Sequence, residues 1–142
     1  MTLAVVVDAS VAIKWFVAEP DSAVADRLLE YEVDLHAPVL LANEFANALW
    51  KNCRKKVIDR NQAEAALKVI GRTVGHWHET ESMLEQAFDL SLRLDHPIYD
   101  FAYLMLAKRS GLHCVTADLR FLKTIEGTEY APHVIHFADW QP

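Results

Sequence analysis

The sequence predicts an α/β protein in which a short, mostly parallel sheet of four to five strands has helices on both faces. Short apolar runs rich in β-branched residues alternate with segments whose apolar residues recur at helical spacing, which is typical of parallel sheets. With 142 residues, 52% of them hydrophobic, the chain is long enough to bury a core of its own. No repeat, low-complexity tract or linker breaks the pattern, so we expect residues 1–142 to form a single domain.

The first half of the chain predicts two strands and four helices. Ala4 to Val7 is a β-branched run of the kind that is buried on both faces of a sheet, and residues 35–37 form a briefer strand closed by Pro38. The helices are expected to start at a Ser10 cap and run through Val17, to cover residues 23–32, to extend from Val39 to about Lys56, and to extend from Asp59 to near Gly71.

The second half predicts three strands and three helices. Residues 74–78, 112–116 and 134–136 are the expected strands. Ser82 and Glu85 have the spacing of a capping box, which would start a helix that continues to Leu92. The remaining helices are expected over residues 98–109, between Pro97 and Gly111, and over residues 119–123.

Composition narrows the function classes. The net charge of −6 argues against a protein that coats nucleic acid non-specifically, although acids gathered in one pocket attract divalent cations. No apolar run has membrane-spanning length, and the first residues lack the basic segment of a signal peptide, so we expect a soluble cytoplasmic protein. Cys53 and Cys114 are expected to be reduced.

Four acids stand where a parallel sheet places its ligands. Asp8 directly follows the first strand, and Asp118 comes two residues after the strand that ends at Thr116. The carboxyl ends of parallel strands share one edge of the sheet, so both acids should lie at that edge. Glu44 and Asp100 fall in the first two turns of their helices.

Each acid also has a purely structural interpretation. Asp8 and Asp118 could cap helices, and Glu44 and Asp100 could complement a helix dipole. Glu44 and Asp100 are flanked by large apolar residues, where a carboxylate is costly unless something compensates its charge. No Lys or Arg lies one helical turn from Glu44, so a bound metal ion is a candidate compensator.

Four segments carry a resemblance to a known family. They are VVVDASV at 5–11, PVLLANEFANAL at 38–49, IYDFAYLMLA at 98–107 and VTADLRFL at 115–122. Together, in this order and spread over most of the chain, they resemble the PIN-domain family, and more narrowly the VapC-like toxins of bacterial toxin–antitoxin pairs. The resemblance implies a PIN-like fold and a metal-dependent endoribonuclease that uses Mg²⁺ or Mn²⁺, is cytoplasmic and usually dimeric, and is inhibited by a cognate antitoxin. Its RNA products are expected to carry 5′-phosphate and 3′-hydroxyl ends.

The resemblance also implies a site. The acidic quartet of the family maps onto Asp8, Glu44, Asp100 and Asp118, with Ser10 and Thr116 as neighbouring polar positions. Asp8 and Asp118 are the expected closest metal ligands. Asp100 is expected to be a ligand or a base that orients water, and Glu44 to bind a second metal or to act through water.

Other residues admit two interpretations. His76 and His78 share one face of a strand and could hold a metal, but no third ligand is evident in the sequence and ordinary edge histidines are expected. The basic cluster, defined as Lys51, Arg54, Lys55 and Lys56, either complements a helix dipole or steers RNA phosphate. Lys14 and Arg120 are weaker candidates for substrate contact. Trp15, Phe16 and Trp50 are expected to pack in the core or an interface rather than to stack on bases.

Two other functions remain open from the sequence. One is a non-catalytic protein that binds an antitoxin and helps to repress an operon. The other is a housekeeping RNA-processing nuclease. A dinucleotide-binding protein is disfavoured, since the chain has four glycines and no GxGxxG turn.

Overall fold

The computed structural model describes residues 3–142, and its centre is a five-stranded sheet in which all neighbouring strands are parallel. The strand order is β3-β2-β1-β4-β5. The strands are β1 (Leu3–Val7), β2 (Val33–Pro38), β3 (His76–His78), β4 (His113–Thr116) and β5 (Val134–His136). The predicted α/β class with a parallel sheet is confirmed. Met1 and Thr2, which belong to the predicted domain, lie outside the described residues.

Helices connect the strands and cover the sheet. They are α1 (Ala9–Ala12), α2 (Ser22–Ala25), α3 (Arg27–Glu30), α4 (Leu40–Arg54), α5 (Arg60–Thr73), α6 (Leu84–Leu94), α7 (Ile98–Ser110) and α8 (Leu119–Ile125). Single 3₁₀ turns cover Ile13–Trp15, Glu81–Met83, Ala131–His133 and Phe137–Asp139. No helix within residues 3–142 is both long enough and apolar enough to cross a membrane.

The core lies on both faces of β1. Val5, Val6 and Val7 alternate in direction along the strand, yet all three are buried. That pattern requires packed helices above and below, as expected for a central parallel strand. Helix α7 is buried on nearly every side from Tyr103 to Ala107 and packs against β1, β2 and β4.

Strand β1 is also the point where the chain reverses direction across the sheet. From β1 the chain moves outward to β2 and then β3, and it later returns on the opposite side of β1 to form β4 and β5. The helices that follow β1 and β4 therefore leave in opposite directions, and a crevice opens at the carboxyl ends of these two strands. Asp8 and Asp118 follow those two ends, so the topology itself brings them together.

Two predicted helix starts are wrong. Ser10 does not cap the first helix; Asp8 does, because its Oδ1 accepts the Val11 N–H at 3.2 Å. Ser82 does not form a capping box with Glu85, and its hydroxyl accepts a hydrogen bond from Arg109 instead. The Ser10 hydroxyl donates to Asp8 and accepts the Ala117 N–H, and the Ser82 hydroxyl accepts from Arg109, so neither serine caps the helix that local spacing assigned to it.

The helix expected over residues 23–32 is divided in two at Asp26. The Trp15 indole N–H donates to the Ala25 carbonyl at 2.9 Å, which occupies the acceptor that a continuous helix would offer to Leu29. The Leu29 N–H turns instead to the Asp26 carbonyl, also at 2.9 Å. This interruption depends on a tertiary contact, so helical spacing could not indicate it.

Candidate active site

Asp8 is held by two hydroxyl groups, one from α1 and one from the end of β4. Ser10 Oγ donates to Asp8 Oδ1 at 2.5 Å, and Thr116 Oγ1 donates to Asp8 Oδ2. The side chain lies at the carboxyl end of β1, and Asp8 is only 4% exposed. Burial raises the pKa of Asp8 to about 7, despite the hydrogen bonds from Ser10, Thr116 and Val11 that favour the ionised form.

Asp118 joins this network from the end of β4. Its backbone N–H donates to Thr116 Oγ1 at 3.0 Å, and its Oδ1 accepts the Phe121 N–H at 3.1 Å, which caps α8. Ser10 Oγ also accepts the Ala117 N–H at 2.9 Å. The two hydroxyl residues proposed from the sequence therefore tie the Asp8 and Asp118 segments together. Both aspartates do cap helices, so the structural interpretation of each is correct and does not exclude a second role.

Asp100 is positioned by a histidine that the sequence analysis missed. Asp100 lies in the first turn of α7, and its Oδ2 is 2.6 Å from His96 Nε2. His96 is 6% exposed, and its Nδ1 faces Thr124 Oγ1 at 3.3 Å. Burial raises the pKa of Asp100, the hydrogen bond with His96 opposes this, and the nearby charge of Asp118 adds to the rise. The available signal was a histidine four residues before a candidate ligand.

Glu44 has a partner that was likewise missed. The Tyr103 hydroxyl donates to Glu44 Oε1 at 2.6 Å across 59 positions of sequence. Tyr103 is 1% exposed and lies one helical turn after Asp100, so α7 supplies both an acid and a donor to the site. Burial raises the pKa of Glu44, the Tyr103 hydrogen bond opposes this, and the charge of Asp100 raises it further.

The four acids form one electrostatic unit. The charge of Asp100 raises the pKa of both Asp8 and Glu44, and that of Asp118 raises the pKa of Asp100. Within the part of the chain that the structure describes, none of the four forms a salt bridge with Lys or Arg. Buried carboxylates that repel one another without a cationic side chain are costly unless a cation binds or protons are retained.

The donor set fits a hard divalent cation. Asp8, Glu44, Asp100 and Asp118 offer carboxylate oxygens, the ligands that Mg²⁺ and Mn²⁺ prefer. Across residues 3–142, no three His, Cys, Asp or Glu side chains already form a group that could hold a metal ion. The acids are therefore neighbours with suitable chemistry, but their side chains are not yet arranged around a common point.

A cavity of about 230 Å³ opens beside the acids. Ser10 and Glu44 line it together with residues of α1 and α4, including Lys51. A larger cavity of about 740 Å³ lies elsewhere, between α6 and α7, and none of the four acids lines it. The smaller cavity is the one that bears on the acidic site.

The histidines at the sheet edge have a third member. His36 on β2 faces His78 with 2.9 Å between Nδ1 and Nε2, and its ring stacks on His76 with centroids 4.3 Å apart. The sequence shows no third ligand near His76 and His78, but the fold places His36 beside both of them. The reason is the parallel register, which pairs His36 with His76 on neighbouring strands. These rings do not form a ready metal site among the described residues.

The aromatic residues divide between core and surface. Trp15 and Phe16 pack against the core, as expected. Trp50 is 53% exposed, so it does not pack in the core of this chain, and its packing in an interface stays a prediction. The Arg54 guanidinium lies over its ring at 4.9 Å from the centroid.

The protein is an α/β protein with a parallel sheet. Acidic side chains lie in the crevice between β1 and β4, at the carboxyl ends of these strands. The sequence model of the PIN domain matches residues 5–126, which is most of the chain. The chain therefore belongs to the PIN domain family.

Individual proteins agree with this assignment. Ribonuclease VapC3 of Pyrobaculum aerophilum is 33% identical over 115 residues, which cover 80% of this chain and 88% of that protein. The crystal structure of PAE2754 from the same organism has a TM-score of 0.68 at 26% identity and covers 90% of this chain and 89% of its own. The crystal structure of Mycobacterium tuberculosis VapC20, a toxin that cleaves the sarcin–ricin loop, has a TM-score of 0.67 at 16% identity. The match covers 90% of this chain and 93% of that chain. This last likeness is one of fold alone.

Proposed function

We propose that the protein is a metal-dependent endoribonuclease of the VapC toxin type. The observation that carries the proposal is the group of four mutually repelling carboxyl groups at the carboxyl ends of β1 and β4, without a Lys or Arg partner among the described residues. The similarity to a protein named a ribonuclease supports the choice of RNA as substrate. Carboxylates alone would repel the phosphodiester backbone, and a bound divalent cation would turn this repulsion into attraction.

Asp8, Glu44, Asp100 and Asp118 would hold Mg²⁺ or Mn²⁺, with Asp8 and Asp118 closest. The cation supplies activation of water and neutralisation of negative charge at the phosphate. Ser10 and Thr116 fix the two oxygens of Asp8 by hydrogen bonds.

His96 and Tyr103 orient the other two acids. His96 holds Asp100, which leaves one carboxylate oxygen of Asp100 for a ligand or for water. Tyr103 holds one oxygen of Glu44 in the same manner, so Glu44 would bind a second cation or act through water. Asp100 is the candidate base that accepts a proton from the attacking water.

The biological setting belongs to the same proposal. As a VapC-type toxin, the protein would be cytoplasmic, would form a homodimer, and would be inhibited by a cognate antitoxin. Residues 1–142 would act as one nuclease domain. Operon repression without catalysis and housekeeping RNA processing are the competing functions.

Cleavage-site mapping with purified protein free of antitoxin tests the proposal. We expect RNA fragments with 5′-phosphate and 3′-hydroxyl ends in the presence of Mg²⁺ or Mn²⁺, and no fragments with chelator or with the Asp100→Asn variant. If neither the wild type nor Asp100→Asn cuts RNA with either cation, the enzymatic proposal fails. Growth arrest on expression that Asp8→Ala relieves would separate a toxin from a housekeeping nuclease.

A further inference from the structure

Helix α4 carries a polar row that leads away from the acidic site. Asn47 and Lys51 come three and seven positions after Glu44, so the three residues lie on one face of the helix. All three line the cavity of about 230 Å³, and Ser10 lines it from the other side. At a rise of about 1.5 Å per residue, the Lys51 backbone lies about 10 Å along the helix axis from that of Glu44.

The donors at the far end of this cavity are free to bind a ligand. Among the described residues, Lys51 makes no salt bridge, and neither Lys51 nor Asn47 makes a side-chain hydrogen bond. Both side chains are exposed. Lys14, the other lysine near the acids in sequence, is held by Glu19 at 2.5 Å and Asp21 at 3.0 Å. Lys51 is therefore the ammonium group that is both unpaired and in the cavity that Glu44 lines.

The rest of the basic cluster does not share this position. Arg54 lies over the Trp50 ring, and neither Arg54, Lys55 nor Lys56 lines the cavity. A single ammonium group and a side-chain amide facing an open cavity match one phosphodiester group, for which Lys acts as a point charge. In a protein with a net charge of −6, a local cation of this kind attracts a polyanion to its part of the surface.

We propose that Asn47 and Lys51 bind an RNA backbone phosphate adjacent to the cleaved bond, in the cavity that Ser10 and Glu44 share with them. This inference rests on the proposed ribonuclease function and adds a substrate subsite to it. Lys51 contributes binding and alignment of the strand, and it takes no part in proton transfer. The subsite reads the backbone, so it is expected to contribute to affinity regardless of base sequence.

Binding and its salt dependence test the subsite directly. A labelled single-stranded RNA is titrated with Asp118→Asn, which blocks cleavage, and with the double variants Asp118→Asn/Lys51→Gln and Asp118→Asn/Lys68→Gln. Lys68 is an exposed lysine of α5 outside the cavity and gives the same change of charge. Between about 50 and 200 mM salt, loss of one phosphate contact should reduce the slope of log K against log salt by about 0.7 and weaken binding by about fivefold.

Equal affinity and equal slope for the Lys51→Gln and Lys68→Gln proteins would overturn the subsite. Cleavage kinetics provide the second measurement: Lys51→Gln should lower kcat/KM by about fivefold with kcat nearly unchanged, and Lys51→Arg should restore most of it. Lys51 is exposed, so the thermal midpoint should not move. If the wild type cleaves RNA and Lys51→Gln cleaves identically, the subsite alone fails; if the wild type does not cleave RNA, the proposed function fails.

Discussion

At the scale of residues, Asp8 is the only fully buried acid of the four, and its protonation is linked to stability. Its pKa rises from the ordinary value of 3.8 to about 7 on folding. Between those values the folded state binds more protons than the unfolded state. The free energy of unfolding should therefore fall as pH rises from about 4 to about 7, by up to about 1.4 kcal/mol per pH unit from this group.

Urea unfolding in the presence of chelator measures this effect. In Asp8→Asn the free energy of unfolding should decrease less between pH 4 and pH 7. This variant should be more stable than the wild type at pH 8, since the amide carries no charge to bury. Asp139→Asn, at an exposed aspartate, should follow the wild-type curve. A wild-type stability that rises between pH 4 and pH 7 while that of Asp8→Asn does not would contradict the role assigned to burial of Asp8.

Tyr103→Phe tests the hydrogen bond to Glu44. The variant keeps the buried ring and removes the donor that lies 2.6 Å from Glu44 Oε1. Since that hydrogen bond lowers the pKa of Glu44, its loss should raise the pKa, and the acid limb of the kcat/KM–pH profile should move to higher pH. The stability at pH 8 should fall by about 1–2 kcal/mol. An unchanged pH profile with an unchanged stability would show that the hydroxyl does not act on Glu44.

At the scale of elements, α4 is followed by a residue with a strained backbone conformation. Lys56 follows the helix with φ of 61°, in the left-handed region that favours glycine. Lys56→Gly should therefore raise the free energy of unfolding by up to about 1 kcal/mol. Lys68→Gly, within α5, is the matched control and should lower it by about 1 kcal/mol. If chemical denaturation shows that the free energy of unfolding changes in the same direction in both variants, the assigned backbone conformation would be contradicted.

The elements themselves could be predicted because their patterns are local. The β-branched run of β1 and the apolar stripe of α4 each indicate one structure within a few residues. The details that failed depend on distant partners. Trp15 takes the Ala25 carbonyl and divides a helix, and Arg109 engages Ser82. The spacing of apolar residues reveals neither contact.

The same distinction applies to the site. Asp8 and Asp118 could be placed at one edge because strand ends and parallel topology fix them. Tyr103 and His96 could not be assigned, because their roles follow from how α4, α7 and α8 pack around the acids. His36 joins His76 only through the register of β2 and β3.

At the scale of the whole molecule, cation binding should stabilise the fold. A ligand that binds only the folded state raises its stability by mass action, and here it would also relieve the repulsion among the four acids. We expect Mg²⁺ or Mn²⁺ to raise the thermal midpoint of the wild type, more at pH 8 than at pH 6, since protons compete with the cation for Asp8, whose pKa is about 7. Asp100→Asn should show a smaller shift. Equal shifts for both proteins would mean that the cation binds elsewhere.

The most direct measurement is the rate of RNA cleavage as Mn²⁺ is titrated into antitoxin-free protein, for the wild type and for Asp118→Asn. The four-carboxylate site predicts a rate that rises from zero and saturates for the wild type, that chelator abolishes, and that stays at background for Asp118→Asn at every Mn²⁺ concentration. Cleavage that persists in chelator, or an Asp118→Asn protein as active as the wild type, would contradict the account.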